Sequence, residues 1–194
     1  MKPFLPRRAV ESDLEALFAL RREATAWLAE SGVDQWPPRM YEYAKADIGS
    51  HVRSGGTYLF ATTEGELAGT VSFGGPDRDY WQESDGLEHG AFVYKMIVAR
   101  AWAGIGLGEA ILDWACDRAQ AEGRTWVGLD CRRDNKRLHR YYTARGFDPV
   151  RLAPAVEGRY SGALFRRPVE WRSRRESVSI TPQRNGGVPR TDVR

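Results

Sequence analysis

The sequence predicts an α/β domain, and three observations carry that expectation. Residues 91–147 read as strand, glycine-rich turn, amphipathic helix, second strand and second helix, in that order. Residues 57–73 read as two β-prone runs around a short polar turn, the pattern of a hairpin. Residues 11–30 carry an apolar stripe at helical spacing, which a core-facing helix requires. At 194 residues the chain suits one domain with a sizeable core.

The elements follow in order. The stretch around Pro3–Val10 supplies a first strand. In the helix Glu11–Glu30, Leu14, Leu17, Phe18, Ala24, Trp27 and Leu28 form the apolar face, and Gly32 ends it. Gly32 to Pro38 must be a loop, because its two prolines cannot continue a helix. Met40–Arg53 is a second helix, broken by Ser54-Gly55-Gly56. Thr57–Thr62 and Leu67–Phe73 are the hairpin strands, with Thr63–Glu66 between them. Gly74–Gly86 is polar and mobile in character. Ala91–Val98 is a mostly apolar strand, as expected where both faces are covered. In the helix Glu109–Glu122, Ile111, Leu112, Trp114, Ala115 and Ala119 face inward, while Glu109, Asp113, Asp117 and Gln120 form a solvated stripe. Gly123 closes it. Val127, Leu129 and Cys131 mark one face of the next strand. Asp134 is the expected N-cap of the helix that ends at Gly146, and Phe147–Leu152 with Ser161–Arg167 give a last strand pair.

Charge is unevenly placed. Residues 172–194 hold six arginines against Glu176 and Asp192, a net +4, so the body of this +3 chain carries about −1. The basic character belongs to the tail and argues against a nucleic-acid-binding face on the domain. The division expected is residues 1–171 as the domain and 172–194 as a disordered tail, since the latter lacks periodicity and apolar residues. No apolar run is long enough to cross a bilayer, and the N-terminus lacks the apolar stretch of a signal peptide. A cytoplasmic protein without membrane contacts is expected. Cys116 and Cys131 are expected to be buried thiols. The histidines His51, His89 and His139 lack zinc-ligand spacing with them, so no metal is expected.

The turn Ala103-Gly104-Ile105-Gly106-Leu107-Gly108 is the most informative segment. Bare backbone N–H groups at a helix N-terminus suit a phosphate-bearing ligand. A tight connection with no ligand is the plain alternative. A dinucleotide-binding turn is a second, with Asp130 where a ribose-binding acid would be wanted. Two details oppose it. The third glycine of that pattern would fall at Glu109 or at Ile111, and Ala99–Ala103 separate strand from glycines. A nucleotide P-loop fails because no Gly-Lys-Ser/Thr follows.

From about Tyr94 to Val150 the chain resembles the GNAT superfamily of N-acetyltransferases; the resemblance is weaker but compatible from Arg7 to Phe73. The family's Arg/Gln-x-x-Gly-x-Gly/Ala pattern is met by Gly106 and Gly108, with Leu107 between, while Ala103 stands where Arg or Gln is usual. Asn135 and the run Tyr142-Thr143-Ala144-Arg145-Gly146-Phe147 match the family's second motif at the family's spacing. The resemblance implies a mixed, mostly antiparallel sheet flanked by helices, with acetyl-CoA as co-substrate. Its pyrophosphate would sit on Ala103, Gly104, Ile105, Gly106, Leu107, Gly108 and Glu109. Its pantetheine arm would pair with the backbone of Met96, Ile97 and Val98 as an added strand. Asn135 and Arg145 are further candidate contacts to CoA, Asn135 being equally suited to start a helix, and Arg100 is another near the phosphates. Gln35 and Trp36, in the loop after the first helix, would border the acceptor.

In this chemistry an amine attacks the thioester and a thiolate leaves. Tyr142 is the candidate general acid, because a phenol of pKa about 10 is protonated at neutral pH and can donate to a thiolate of pKa about 8.5. The base is less defined. The family's usual place falls on Phe92, which cannot serve. Glu88 is preferred, with a water relay as its rival. The expected acceptor is a small-molecule primary amine, and the family allows a homodimer. Two alternatives stay open: a non-catalytic acyl-CoA-binding or regulatory domain, and a protein or peptide N-acetyltransferase.

Overall fold

The computed structural model of the chain describes residues 3–33, 36, 40–156, 159, 161–172 and 178–181. In chain order its elements are β1 (Leu5–Arg8), α1 (Leu14–Glu30), α2 (Tyr41–Arg53), β2 (Thr57–Ala61), β3 (Leu67–Gly74), β4 (Gly90–Val98), α3 (Leu107–Ala121), β5 (Trp126–Cys131), α4 (Lys136–Thr143), β6 (Asp148–Leu152) and β7 (Ala163–Pro168). The strands form a seven-stranded sheet in the order β1-β2-β3-β4-β5-β7-β6. Every neighbouring pair is antiparallel except β4 and β5, which run parallel. The expected mixed, mostly antiparallel sheet with flanking helices is what the chain forms.

Alternation along the strands sorts side chains to two faces. On one face the apolar side of α3, led by Ile111, Leu112, Ala115 and Cys116, packs on Phe60, Val71, Val93 and Val127. On the other, Leu17 of α1 and Ile48 and Val52 of α2 cover Leu59, while Leu20 and Ala24 cover Ile97. Both cysteines are free and buried, as their apolar surroundings predict.

Two features of β4 shape the centre of the sheet. Its pairing with β5 covers only Gly90–Phe92 against Trp126–Gly128. Beyond that point the two strands part, and β5 continues on β7 alone. Its pairing with β3 also shifts register between Thr70 and Ser72, where one residue faces the extra pair Lys95 and Met96. Lys95 takes φ +51, the one non-glycine with positive φ among the described residues. This bulge turns the side chains of Tyr94 and Lys95 to the α1/α2 side together. Met96 and Val98 then pack with the α3 core, and Ile97 packs against α1.

Four sequence expectations need correction. Gly74–Gly86 is not simply a polar connection. Tyr80 and Trp81 are each 1 % exposed and, with Phe92, Trp126 and Leu164, form a second core cluster. Arg151 fastens the segment by bonding Asp85 and the Tyr80 carbonyl. Asp134 does not cap α4. It pairs with Arg132 at 2.6 Å, and Asn135 is the cap, its side chain accepting from the Leu138 N–H at 3.0 Å. Glu109 does not belong to a solvated stripe, being 7 % exposed. Finally, part of the expected tail is body. Phe4 and Ile180 form a parallel bridge. The Phe4 N–H donates to Ser179, the Thr181 N–H donates to Phe4, and Val178 joins the core. Two apolar residues in an otherwise polar stretch suffice for this, and they are too few to register as a period. Residues 173–177 and 182–194 lie outside the described residues.

Candidate active site

The glycine turn follows β4 after a 3-10 turn, Arg100–Trp102, and runs into α3. Gly104 and Gly106 take φ +83 and +90, and a Cβ on either would meet no atom within 4 Å. Those conformations favour glycine, and the space beside them is open. Glu109 and Ala110 both donate to the Gly106 carbonyl. The amides of Leu107 and Gly108, first in the helix, take no acceptor among the described residues, and no side chain caps the terminus. Free amides at the positive end of a fifteen-residue helix, with room in front, form an anion cradle. Leu107 is buried and anchors the turn, whereas Ala103 and Ile105 are exposed.

One flank of the cradle is closed by α4. The Tyr141 hydroxyl lies against Gly108. The Arg145 guanidinium stacks on the Tyr141 ring at 3.6 Å and reaches Glu109 at 3.6 Å. Arg145 Nε is buried with no partner, a donor held at the edge of the cradle. Arg100 instead lies over the Trp27 ring at 4.2 Å.

The cleft between β4 and β5 opens below the cradle. Met96, Ile97 and Val98 lie beyond the last β4–β5 pair, so their β5-side backbone edge has no strand partner. Tyr142 reaches this region from α4. It is 8 % exposed, its ring against Phe147 and Phe165. Burial pushes its phenol well above the usual value, and Cys131, Tyr141 and Asp130 push the same way. The proton is thus held firmly at neutral pH. Cys131 is also pushed up by burial, to about 12, and is a packing residue.

Charged groups gather on the α1/α2 side of the cleft. Asp130, next to last in β5, lies on the face opposite Leu129 and Cys131. Burial raises its carboxyl above the ordinary range, although a hydrogen bond from Ser161 and the charges of Arg159 and Lys95 oppose the shift. The same carboxylate is felt by Tyr94, Lys95 and Tyr142. Lys95 meets Asp47 of α2 at 2.7 Å. Burial pushes the Lys95 ammonium down, and Asp47 restores only part of the shift. Burial would raise Asp47, but His51 and Lys95 overcome it and hold the carboxyl at about 2.

The remaining sequence candidates fall elsewhere. Glu88 sits in a single 3-10 turn before β4, exposed, its carboxylate 3.2 Å from His89 and its carbonyl bonded by Arg124. That is the end of β4 where the strand is still paired to β5, so Glu88 is not brought together with Tyr142. Trp36 packs over Arg21 at 4.1 Å; Gln35 lies outside the described residues. The sequence reading missed the role of Asp130 as a cleft residue. The signal was an aspartate at alternate spacing in the otherwise apolar run Trp126–Cys131.

The family model for the acetyltransferase (GNAT) family matches residues 21–147. The chain belongs to the GNAT acetyltransferase family. It is an N-acetyltransferase of that class, whose co-substrate is acetyl-CoA and whose acceptors are amines. Among similar proteins, YesJ of Bacillus subtilis (strain 168), described as an uncharacterized N-acetyltransferase, is 29 % identical over 143 residues, covering 72 % of this chain and 79 % of that one. A GNAT-family acetyltransferase from Listeria monocytogenes 4b F2365 superposes with a TM-score of 0.69 at 26 % identity, covering 85 % of this chain and 94 % of the other. The fold is also that of yncA from Salmonella typhimurium, a structure described with its cofactor acetyl-CoA: TM-score 0.58, 18 % identity, 90 % and 99 % covered. Among the described residues no helix of this GNAT protein is long and apolar enough to cross a membrane.

Proposed function

We propose that this enzyme moves the acetyl group of acetyl-CoA directly to the primary amine of a small molecule, with Tyr142 as general acid and Asp130 as general base. The observation that supports the reading is that the buried Tyr142 phenol lies within electrostatic reach of Asp130, beside the stretch where β4 leaves β5. The cradle's free amides and Arg145 take the pyrophosphate of CoA, and the unpaired backbone of Met96–Val98 takes the pantetheine arm. The thioester carbon then lies between the two walls of the cleft.

An alkylamine of pKa about 10 arrives mostly as ammonium at neutral pH. Asp130, whose carboxyl burial has shifted toward neutrality, is suited to relieve it of a proton. The neutral amine attacks the carbonyl carbon, the C–S bond breaks, Tyr142 gives its proton to the departing sulfur, and the proton the new amide nitrogen sheds restores the Tyr142 phenol. Glu88, at the paired end of β4 and already facing His89, is remote from both groups. The charges lining the α1/α2 side, with Asp47 and Asp130 against Lys95, also suit an acceptor that carries its own charge. Release of CoA thiol, followed across a panel of primary amines, tests the reading. Turnover that requires both Tyr142 and Asp130 supports it. Binding of acetyl-CoA with no turnover on any amine would make the chain a non-catalytic acyl-CoA-binding domain.

A further inference from the structure

Most of the buried and partly buried arginines among the described residues meet a carboxylate. Arg167, fully buried, meets Asp113 at 2.8 Å and the carbonyls of Leu112 and Arg145. Arg151 meets Asp85, Arg145 meets Glu109, and Arg159 meets Asp77 and Asp79. Arg133, partly buried, bonds the Ala153 carbonyl instead, and of the two buried arginines among the described residues Arg21 alone lacks a carboxylate. It is 7 % exposed, yet no carboxylate among the described residues lies within ion-pair distance. Its guanidinium makes one hydrogen bond, from Nη1 to Thr25 Oγ1 at 2.7 Å, and is covered on one face by the Trp36 indole at 4.1 Å. Of the five donors of a guanidinium, the rest are unclaimed. Burial pushes this group down to about 10, with only Tyr41 opposing the shift. A buried cation left unpaired is costly, and such a cost persists where the missing partner is a ligand.

The position agrees. Arg21 sits on the side of α1 that covers β4, where its charge reaches Lys95. Lys95 is also within reach of Asp130, so an acceptor on this face meets a carboxylate at one end and an unpaired guanidinium at the other. Lys95 between them is already matched to Asp47.

We propose that Arg21 binds a carboxylate of the acceptor, so that the acceptor is a small amino acid-like molecule carrying both a primary amine and a carboxylate. Trp36 orients the guanidinium by covering its face, and the planar fork pairs with a carboxylate through two parallel bonds. The inference rests on the transfer reading above, since it names the acceptor of that same site.

The test pairs a set of α-amino acids with their decarboxylated amines, matched side chain for side chain, and compares wild-type protein with Arg21→Met and Arg21→Lys. Wild type should favour the acids in kcat/KM. Arg21→Met should lose about 10- to 100-fold more on the acids than on the amines, the range of a charge-assisted hydrogen bond, and Arg21→Lys should recover part of it. The ligand-free Arg21→Met protein should melt no lower than wild type, because an apolar chain replaces an unpaired charge. Equal loss on both series, or a wild type indifferent to the carboxylate, overturns the proposal. A clear fall in melting temperature with no change in preference would make Arg21 a structural residue. If no amine releases CoA, the transfer reading fails by itself. Calorimetric titration of the same amino acids into the CoA-loaded protein then decides Arg21 separately. Binding that Arg21→Met abolishes supports it, and binding that is absent or unchanged overturns it.

Discussion

The hydroxyl of Tyr141 lies 2.6 Å from the point a Cβ on Gly108 would occupy. The start of α3 and the middle of α4 therefore touch, and the second motif forms the wall of the cradle made by the first. A side chain at position 108 must displace Tyr141 and, with it, the stacked Arg145. Gly106 differs: nothing stands within 4 Å, but its φ of +90 costs an L-residue about 1–2 kcal/mol. Gly106→Trp should fold with a modest loss of stability and fill the space in front of the amides. Gly108→Trp should disturb Tyr141 as well. Calorimetry should show acetyl-CoA affinity lost in both; unchanged affinity in either folded variant would put the phosphate site elsewhere.

Tyr142→Phe removes one oxygen and keeps the ring against Phe147 and Phe165. The sulfur gathers charge only as the C–S bond breaks, so a donor there acts on the transition state rather than on binding. Turnover should drop about 10²- to 10⁴-fold, with acetyl-CoA affinity nearly intact. Tyr141→Phe should behave in the opposite sense, altering affinity through the cradle wall and leaving the chemical step largely unaffected. A chemistry-limited assay in which Tyr141→Phe alone loses turnover would show that the acid is the neighbouring residue.

The sequence carried the sheet, the helices and the cradle because each has a local cause. Glycines at 104, 106 and 108 and the alternation of β2 and β3 are readable without contacts. Less was readable where the cause is a contact between distant segments. Nothing local in Tyr80 and Trp81 reveals that Trp126 and Phe92 await them. Nothing in the stretch around Val178 reveals that Phe4 offers an open backbone edge. Glu88 looked suitable as the carboxylate just ahead of the strand, but the segment that holds it is a 3-10 turn. Asp130 was noticed only for a different fold's chemistry, since its significance depends on β4 leaving β5 after Phe92. Arg21 gave no signal at all, because a missing partner cannot be seen in a sequence.

Asp130 gives a prediction with a definite sign. Its carboxyl is raised in the folded protein above an unfolded value of about 3.9. The stability this group contributes is therefore present below about pH 4 and is lost as pH rises through the folded pKa. Asp130→Asn should match wild type in thermal stability at low pH and exceed it at neutral pH. Its activity should move the other way, falling about 10²- to 10⁴-fold. The acidic limb of the wild-type kcat/KM profile, set by a base above the usual carboxylate range, should vanish in the variant. A limb that survives would assign the base to another group.

A chain ending at Arg172 removes Val178, 7 % exposed, and the two backbone bonds that Phe4 makes with Ser179 and Thr181. Burying a valine is worth about 1.5–3 kcal/mol, so the melting temperature should fall by roughly 3–12 °C for a protein of this size. The cradle and the cleft are built from other segments, so acetyl-CoA affinity should hold. A truncated protein that melts with wild type would show that the docked segment adds nothing to stability.

Lys95 joins backbone shape to side-chain charge at the centre of β4. Its left-handed conformation, φ +51, sits at the bulge that turns Tyr94 and Lys95 together toward α2, and its ammonium closes on Asp47 at 2.7 Å. Lys95→Ala and Lys95→Gly both delete the ion pair, but only glycine also relieves the backbone. The glycine variant should therefore be the more stable of the two by about 1 kcal/mol, and should keep more acetyl-CoA affinity because the bulge persists. Asp47, held at about 2 in wild type, contributes stability that is lost as pH falls from about 4 toward 2. In either variant that loss should be smaller and complete at a higher pH, since only His51 is left as the partner. Thermal melts of the three proteins across that range would read both effects. Equal stability of the alanine and glycine variants would mean that the bulge holds no strain, and that the Lys95–Asp47 pair alone fixes this part of β4.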